Sequence, residues 1–473
     1  MIGGGLRARP LFVGGTSSNA GKSWMVTAIC AWLRRQGVAV APFKAQNMSN
    51  HSFPCRAGGE IGRAQVAQAE ACGLEPEPAM NPILLKPSAG SCQVVVNGRV
   101  WKTLGAREYY SHVDELRSHV LAAYRTLANR FDVVVIEGAG SVTELNLRDA
   151  DLVNLGLATA LGAPWILVAD IERGGVFGSV VGTVSLLTAE ERALFRGFAI
   201  NKFRGDRSLF DQGVAILEQR TESPCLGVFP FATDIAVDAE DSLSLCMRQV
   251  LPPPAGARTA IIRLPSLSNG TDFRLLQWAE WIDDVPSGDF DFIVLPGTKN
   301  TILDLLWLRR SGLADWVIQQ HHHGATVIGI CAGFQMLGRS IHDPFGVESN
   351  VRFAPGLDLL PCRTVLGAEK TTVVRHGMTT NQTPLSGYEI HMGTTTTEEN
   401  LPAFAMFEGG QTDGIRTDGV IGTYLHGAFE HPDVCAEIFG IRPSDEPSKA
   451  DHYARLADWF DAHLRNRAAL GVL

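Results

Sequence analysis

Short apolar runs that end in glycine or a polar residue, each followed by a stretch of helical spacing, set the rhythm of this chain. Residues 11–15 (LFVGG) read as a strand, TSSNAGKS as a glycine-bearing loop, and WMVTAICAWLRRQG (24–37) as an amphipathic helix. The runs FDVVVIEGAG (131–140), APWILVAD (163–170) and FRGFAINKFRGD (195–206) repeat one form, a β-branched or aromatic stretch closing on acidic, Gly or Asn residues. Strands buried on both faces are apolar throughout in this way, and strands that alternate with helices build parallel sheets. The Pro- and Gly-rich segment RQVLPPPAGARTA (248–260) breaks the rhythm before it resumes at AIIRLP. The pattern predicts an α/β protein of two domains, each a mostly parallel sheet flanked by helices: residues 1–247, a linker at 248–257, and residues 258–473.

Composition narrows the setting. A chain of 473 residues exceeds a single core at roughly 100–200 residues per domain. With 45% hydrophobic and 19% charged residues and no low-complexity tract, it reads as a folded globular chain. A formal charge of -9 without a Lys/Arg block argues against a nucleic-acid partner, whose phosphates need a basic footprint. No apolar run approaches the ~20 residues that span a bilayer, and the opening MIGGGLRARPLFVGG runs straight into the loop motif rather than forming a signal peptide. Nine scattered cysteines without a CxxC pair fit reduced thiols, and a cytoplasmic location is expected.

Candidate chemistry begins at the loop. GKS between strand and helix is the context of a P-loop. Thr16, Ser17, Asn19, Ala20, Gly21, Lys22 and Ser23 form the candidate nucleotide site for ATP, with the N–H groups of Ser18 to Lys22 around phosphate, Lys22 on the terminal phosphates and Ser23 on Mg²⁺. The usual first glycine is displaced: Thr16 stands five positions before Gly21, with Gly15 one place early. In α/β folds ligands gather at strand C-terminal ends, which makes Glu137, Asp170, Asn201 and Lys202 candidates, with a cap or turn residue the bland alternative for each. Glu137 is the metal-side candidate opposite Ser23. Lys44, Arg63 and Lys86, cations beside amide side chains, suit a multiply carboxylated or phosphorylated ligand, although a solvated surface would carry them as well.

In the second half ATVIGICAGFQMLGRSI (325–341) places Cys331 in a G-x-C-x-G turn between strand and helix, the form of a nucleophile elbow. A cysteine nucleophile wants a base, and His426 in GTYLHGAF is the choice, with His391 in SGYEIHMG the competitor. The run His321-His322-His323 is read as an exposed helix end rather than a metal site. The turn at Gly297-Thr298 and the N–H of Ala332 are the candidate oxyanion donors.

With these residues in view, PFKAQNM, EIGRAQ, NPILLKP, EGAGS, DIERGGVF, NKFRGD, LPGTKNT, GYEIHMG and GTYLHG appear in an order that resembles the cobyric acid synthases of cobalamin biosynthesis, over nearly the whole chain. The first half is similar to dethiobiotin-synthetase-type P-loop proteins, whose loop also carries the glycine one place early. The second is similar to class I glutamine amidotransferases, which implies Cys331 as nucleophile and His426 as base. That class usually places Glu two residues beyond the histidine, but Ala428 stands there, leaving the pair without a third member at that position. The resemblance implies ATP- and glutamine-dependent amidation of four carboxylates of adenosylcobyrinic acid a,c-diamide through an acyl phosphate, and adds Asn201 to the nucleotide site. It also makes Lys44, Gln46, Asn47, Arg63, Gln65 and Lys86 candidate corrinoid contacts. A cobyrinic acid a,c-diamide synthase, built from the same modules, and a P-loop regulatory ATPase are the alternatives.

Overall fold

The computed structural model describes residues 7–88, 91–237, 252–253, 256–443 and 447–472, which form two compact units. The first comprises the described residues of Met1–Ser49, Glu60–Glu240 and Pro447–Leu473; the second those of Asn50–Gly59 and Asp241–Glu446.

In the first unit a parallel sheet runs in the order Cys225–Pro230, Phe195–Phe203, Trp165–Asp170, Arg9–Gly15, Val133–Glu137, Val40–Phe43. Every residue of Val133–Glu137 and Trp165–Asp170 is buried, as strands covered on both faces must be. Register pairs Val13 with Glu137 and Asp170 with Asn201, so the polar residues that close these strands collect at one edge. A second sheet, Gln46–Met48, Ile83–Ser88, Ser91–Val96 and Arg99–Leu104, was not legible as strands in the polar stretches of the sequence.

The second unit holds a sheet in the order Glu280–Ile282, Thr259–Ile262, Phe292–Leu295, Thr326–Ile330, Val420–Thr423, Ile415–Thr417. It is parallel up to its last pair, where Ile415–Thr417 runs antiparallel to its neighbour. A long hairpin, Cys362–Thr379 against Pro384–Thr397, belongs to a further sheet.

The boundaries read from sequence need correction at two places. The helix Lys449–His463, assigned with the second domain, packs on the first: Trp32 Nε1 donates to Asp461 at 2.7 Å, Tyr453 donates to Glu70 at 2.6 Å, and Phe460 stacks on Phe229 with centroids 5.6 Å apart. Its position in the sequence, after the second unit, does not reveal which unit it covers. Residues 50–59 join the second unit, where Ser52 N donates to Asn269 Oδ1 at 3.1 Å. Of the expected linker 248–257, residues 248–251 and 254–255 lie outside the described residues.

Candidate functional site

The loop after Arg9–Gly15 ends at Gly21, in the left-handed region at φ 96°, and the helix Lys22–Arg35 follows. Lys22 folds back over the loop, donating to the carbonyls of Ser17 at 3.0 Å and Gly140 at 2.8 Å. This posture explains the displaced glycine. A Cβ on Gly15 would lie 2.9 Å from Lys22 Cδ and 3.0 Å from its Nζ, so a side chain at position 15 would push the lysine out of this posture. Ser17, Ser18 and Asn19 are exposed, as a phosphate-wrapping loop requires. Asn201 Nδ2 donates to Ala20 O at 3.0 Å, and Lys202 bridges Asn19 O at 2.6 Å and Asp170 at 2.9 Å. The strand ends expected to carry ligand residues therefore buttress the loop itself.

Ser23 Oγ donates to Glu137 Oε1 at 2.8 Å, and Lys44 Nζ lies 2.8 Å from the same oxygen. A hydroxyl and a carboxylate side by side at the root of the loop are hard oxygen ligands of the kind Mg²⁺ takes, so the residues fit that ion.

The six corrinoid candidates do not share one surface. Lys44 pairs with Glu137, and Lys86 lies 2.5 Å from Glu60, both ion pairs being buried. Asn47 donates to Gln65 at 2.9 Å within a polar layer where Gln65 is fully buried and Arg63 nearly so. Gln46 alone of the six is partly open, and its carbonyl accepts from Tyr109 Oη.

In the second unit the strand Thr326–Ile330 meets the short helix Ala332–Leu337 at Cys331, whose backbone is held at φ 54°, ψ −108°. A non-glycine residue there costs on the order of 1–3 kcal/mol and persists where the surroundings enforce it. The enforcement is close packing: a Cβ on Gly333 would lie 1.9 Å from Leu295 O, and one on Gly329 2.6 Å from Gly333 C. Cys331 N donates to Thr423 O at 2.7 Å, which ties the turn to the strand leading into His426.

His426 is buried, and its Nδ1 lies 2.7 Å from Asp272 Oδ2; the other oxygen of Asp272 accepts from Gly427 N at 3.0 Å. The third member absent at Ala428 is thus replaced by a carboxylate 154 residues earlier in the chain, in the turn Gly270–Phe273. Nothing in SNGTDF marks it, because only the fold brings that turn to His426. Burial by itself lowers the His426 pKa; the charges of Asp272 and Cys331 and the hydrogen bond to Asp272 outweigh it and push the imidazole up to about 10. A Cβ on Gly297 would stand 2.8 Å from His426 Cε1, so Gly297 borders the imidazole. Asp304 accepts from Ser266 N at 3.0 Å and from the Thr298 hydroxyl, fastening the segment that leads to Asp272 to the turn that carries Gly297.

His391 stacks on Tyr424 with centroids 3.8 Å apart, and burial pushes its pKa down to about 4. Among the described residues it has no carboxylate at hydrogen-bond distance, Glu389 being 3.9 Å away. The triple histidine ends the helix Leu313–His322, with His322 and His323 exposed.

A phosphate-type loop in one unit and a strained cysteine with a charged histidine in the other define a nucleotide-binding protein coupled to a cysteine amidotransferase. The family described as the CobQ/CobB/MinD/ParA nucleotide binding domain matches residues 11–245, and that described as the CobB/CobQ-like glutamine amidotransferase domain matches residues 258–434. Among curated relatives, a cobyric acid synthase of Parabacteroides distasonis is 43% identical, covering 96% of this chain and 97% of its own. Another, from Dehalococcoides mccartyi, is 43% identical over 90% of this chain and 89% of its own. The chain belongs to the cobyric acid synthase family of glutamine-dependent amide ligases. Among the described residues, no helix is long and apolar enough to cross a membrane.

Proposed function

We propose that this protein converts adenosylcobyrinic acid a,c-diamide to adenosylcobyric acid, amidating four carboxylates with ammonia from glutamine and one ATP per amide. The observation that carries the glutamine half is the strained Cys331, whose charge acts on the buried His426 held by Asp272. The acceptor's identity is supported by relatives matched along nearly their full length.

At the glutamine site the Cys331 thiolate attacks the amide carbon, and the N–H groups at Gly297 and Ala332 receive the developing oxyanion. His426, held protonated by Asp272, gives its proton to the departing nitrogen, so that ammonia leaves and a thioester remains. As neutral imidazole it then takes a proton from water, whose attack releases glutamate and restores the charged pair. Asp272, 2.7 Å from Nδ1, fixes the proton there and with it the orientation of the ring.

At the nucleotide site the loop N–H groups and Lys22 hold the phosphates, and Asn201 and Lys202 keep the loop in shape. The acceptor carboxylate attacks the γ-phosphate, expelling ADP; ammonia then displaces phosphate from the acyl phosphate. Mg²⁺, held by Ser23 and Glu137, would supply charge neutralisation on the phosphates. Lys44, paired with the same carboxylate, balances its charge.

Incubation with ATP, glutamine and, in separate reactions, adenosylcobyrinic acid a,c-diamide or cobyrinic acid, followed by mass spectrometry, tests this reading. The expected product carries four additional amides; amidation of cobyrinic acid at only two positions would assign the chain to the a,c-diamide reaction instead.

A further inference from the structure

The segment that leaves the strand Val133–Glu137 walls a cavity of about 250 Å³ in the first unit. Gly140 forms part of the wall, and its carbonyl, 2.8 Å from Lys22 Nζ, joins that wall to the phosphate loop. The wall is built to stay in place: Asn154, 6% exposed, donates to the carbonyls of Ala139 at 2.7 Å and Ser141 at 3.2 Å while accepting from Ala139 N at 3.1 Å.

Of the charged groups of the lining, Glu144 is exposed to solvent, and Arg148, Asp151 and Glu191 are committed to the scaffold. Arg148 pairs with Glu191 at 2.9 Å, and Asp151 accepts from the N–H groups of Val153, Asn154 and Gly156. Polar recognition falls to Gln46, whose carbonyl is taken by Tyr109 Oη, which leaves its NH₂ edge as the donor. Around the mouth stand Tyr110 and Leu145, each 45% exposed, and Leu147, 37% exposed. So much apolar surface in one place marks a binding face.

We propose that this cavity is the acceptor pocket: it admits one carboxylate-bearing arm of a large amphipathic polycarboxylate and delivers the carboxylate to the Lys22 end of the phosphate loop. The body of the acceptor rests outside, against Tyr110, Leu145 and Leu147. Size supports this division, because 250 Å³ lies below the roughly 300–1,000 Å³ that enclose a drug-sized ligand, and suits an arm rather than a ring system. The proposal rests on the functional reading above and replaces most of the sequence-derived acceptor contacts, retaining Gln46.

The test uses the full-length protein with Leu147→Glu and Tyr110→Glu, surface changes that add a negative charge where the acceptor is itself anionic. Leu209→Glu, at a residue 84% exposed elsewhere in the unit, is the control. Steady-state KM values for corrinoid and ATP and the glutaminase rate are measured for each. The pocket predicts a corrinoid KM raised about tenfold or more in the first two variants, with ATP KM and glutaminase rate within about twofold and the control unchanged. If the wild-type protein amidates the corrinoid and both mouth variants keep its KM, the pocket is wrong and the function stands. Failure of the wild-type protein to amidate any corrinoid overturns both. A KM increase shared equally by ATP would place these residues in the nucleotide site and overturn the pocket.

Discussion

Asp272 and His426 form a buried ion pair whose members stand 2.7 Å apart and are each 1% exposed. Removing the carboxylate charge while keeping the shape, as in Asp272→Asn, leaves burial opposed only by Cys331 at the imidazole. His426, titrating at about 10 in the wild-type protein, should then titrate well below that by NMR, and glutaminase turnover should fall on the order of 10²-fold or more. The same pair sets a pH dependence of stability. Below about pH 6.5 the histidine is protonated in folded and unfolded chains alike, and the pair stabilises fully; between 6.5 and about 10 only the folded chain holds the proton, so stability falls as pH rises, and above about 10 the contribution is gone. Urea unfolding across this range should show that loss in the wild-type protein and not in Asp272→Asn. Cys331 and His426 were legible in the sequence because a nucleophile elbow and a histidine after a short strand are local patterns. Asp272 was not, since its role exists only through a contact across 154 residues.

At the scale of elements, the phosphate loop and its strand–helix frame followed from spacing, and the displaced glycine found its cause in the path of Lys22. The polar stretches at 42–50, 58–71 and 80–87 left ligand surface and solvated surface open as readings, because hydrophilic composition does not distinguish either from an internal network. There Lys86 is paired with Glu60, Asn47 with Gln65, and Asn81 donates to the carbonyls of Lys44 at 3.1 Å and Ile83 at 2.9 Å. Such a layer is costly to break. Gln65→Ala removes the acceptor of a buried amide and should lower stability by about 1–3 kcal/mol in urea unfolding. Corrinoid KM should remain within about twofold of wild type; a rise in KM without a loss of stability would restore Gln65 as a ligand contact.

For the whole molecule, the chain leaves its first unit, builds the second and returns, so that the helix Lys449–His463 closes over Lys22–Arg35. Deleting residues 447–473 strips partners from Trp32 and Phe229, both buried, and should disable ATP binding even though the entire phosphate loop remains. Nucleotide binding by the truncated chain at wild-type affinity would show the helix dispensable. Two working halves in one chain make the account depend on ammonia made by one and consumed by the other. The direct measurement is amide formation on the corrinoid by Cys331→Ala, supplied in turn with glutamine and with ammonium salt. Turnover on glutamine should fall to background while turnover on ammonium persists at about the wild-type level. Glutamine-supported amidation at the wild-type rate in this variant would contradict the assignment of Cys331.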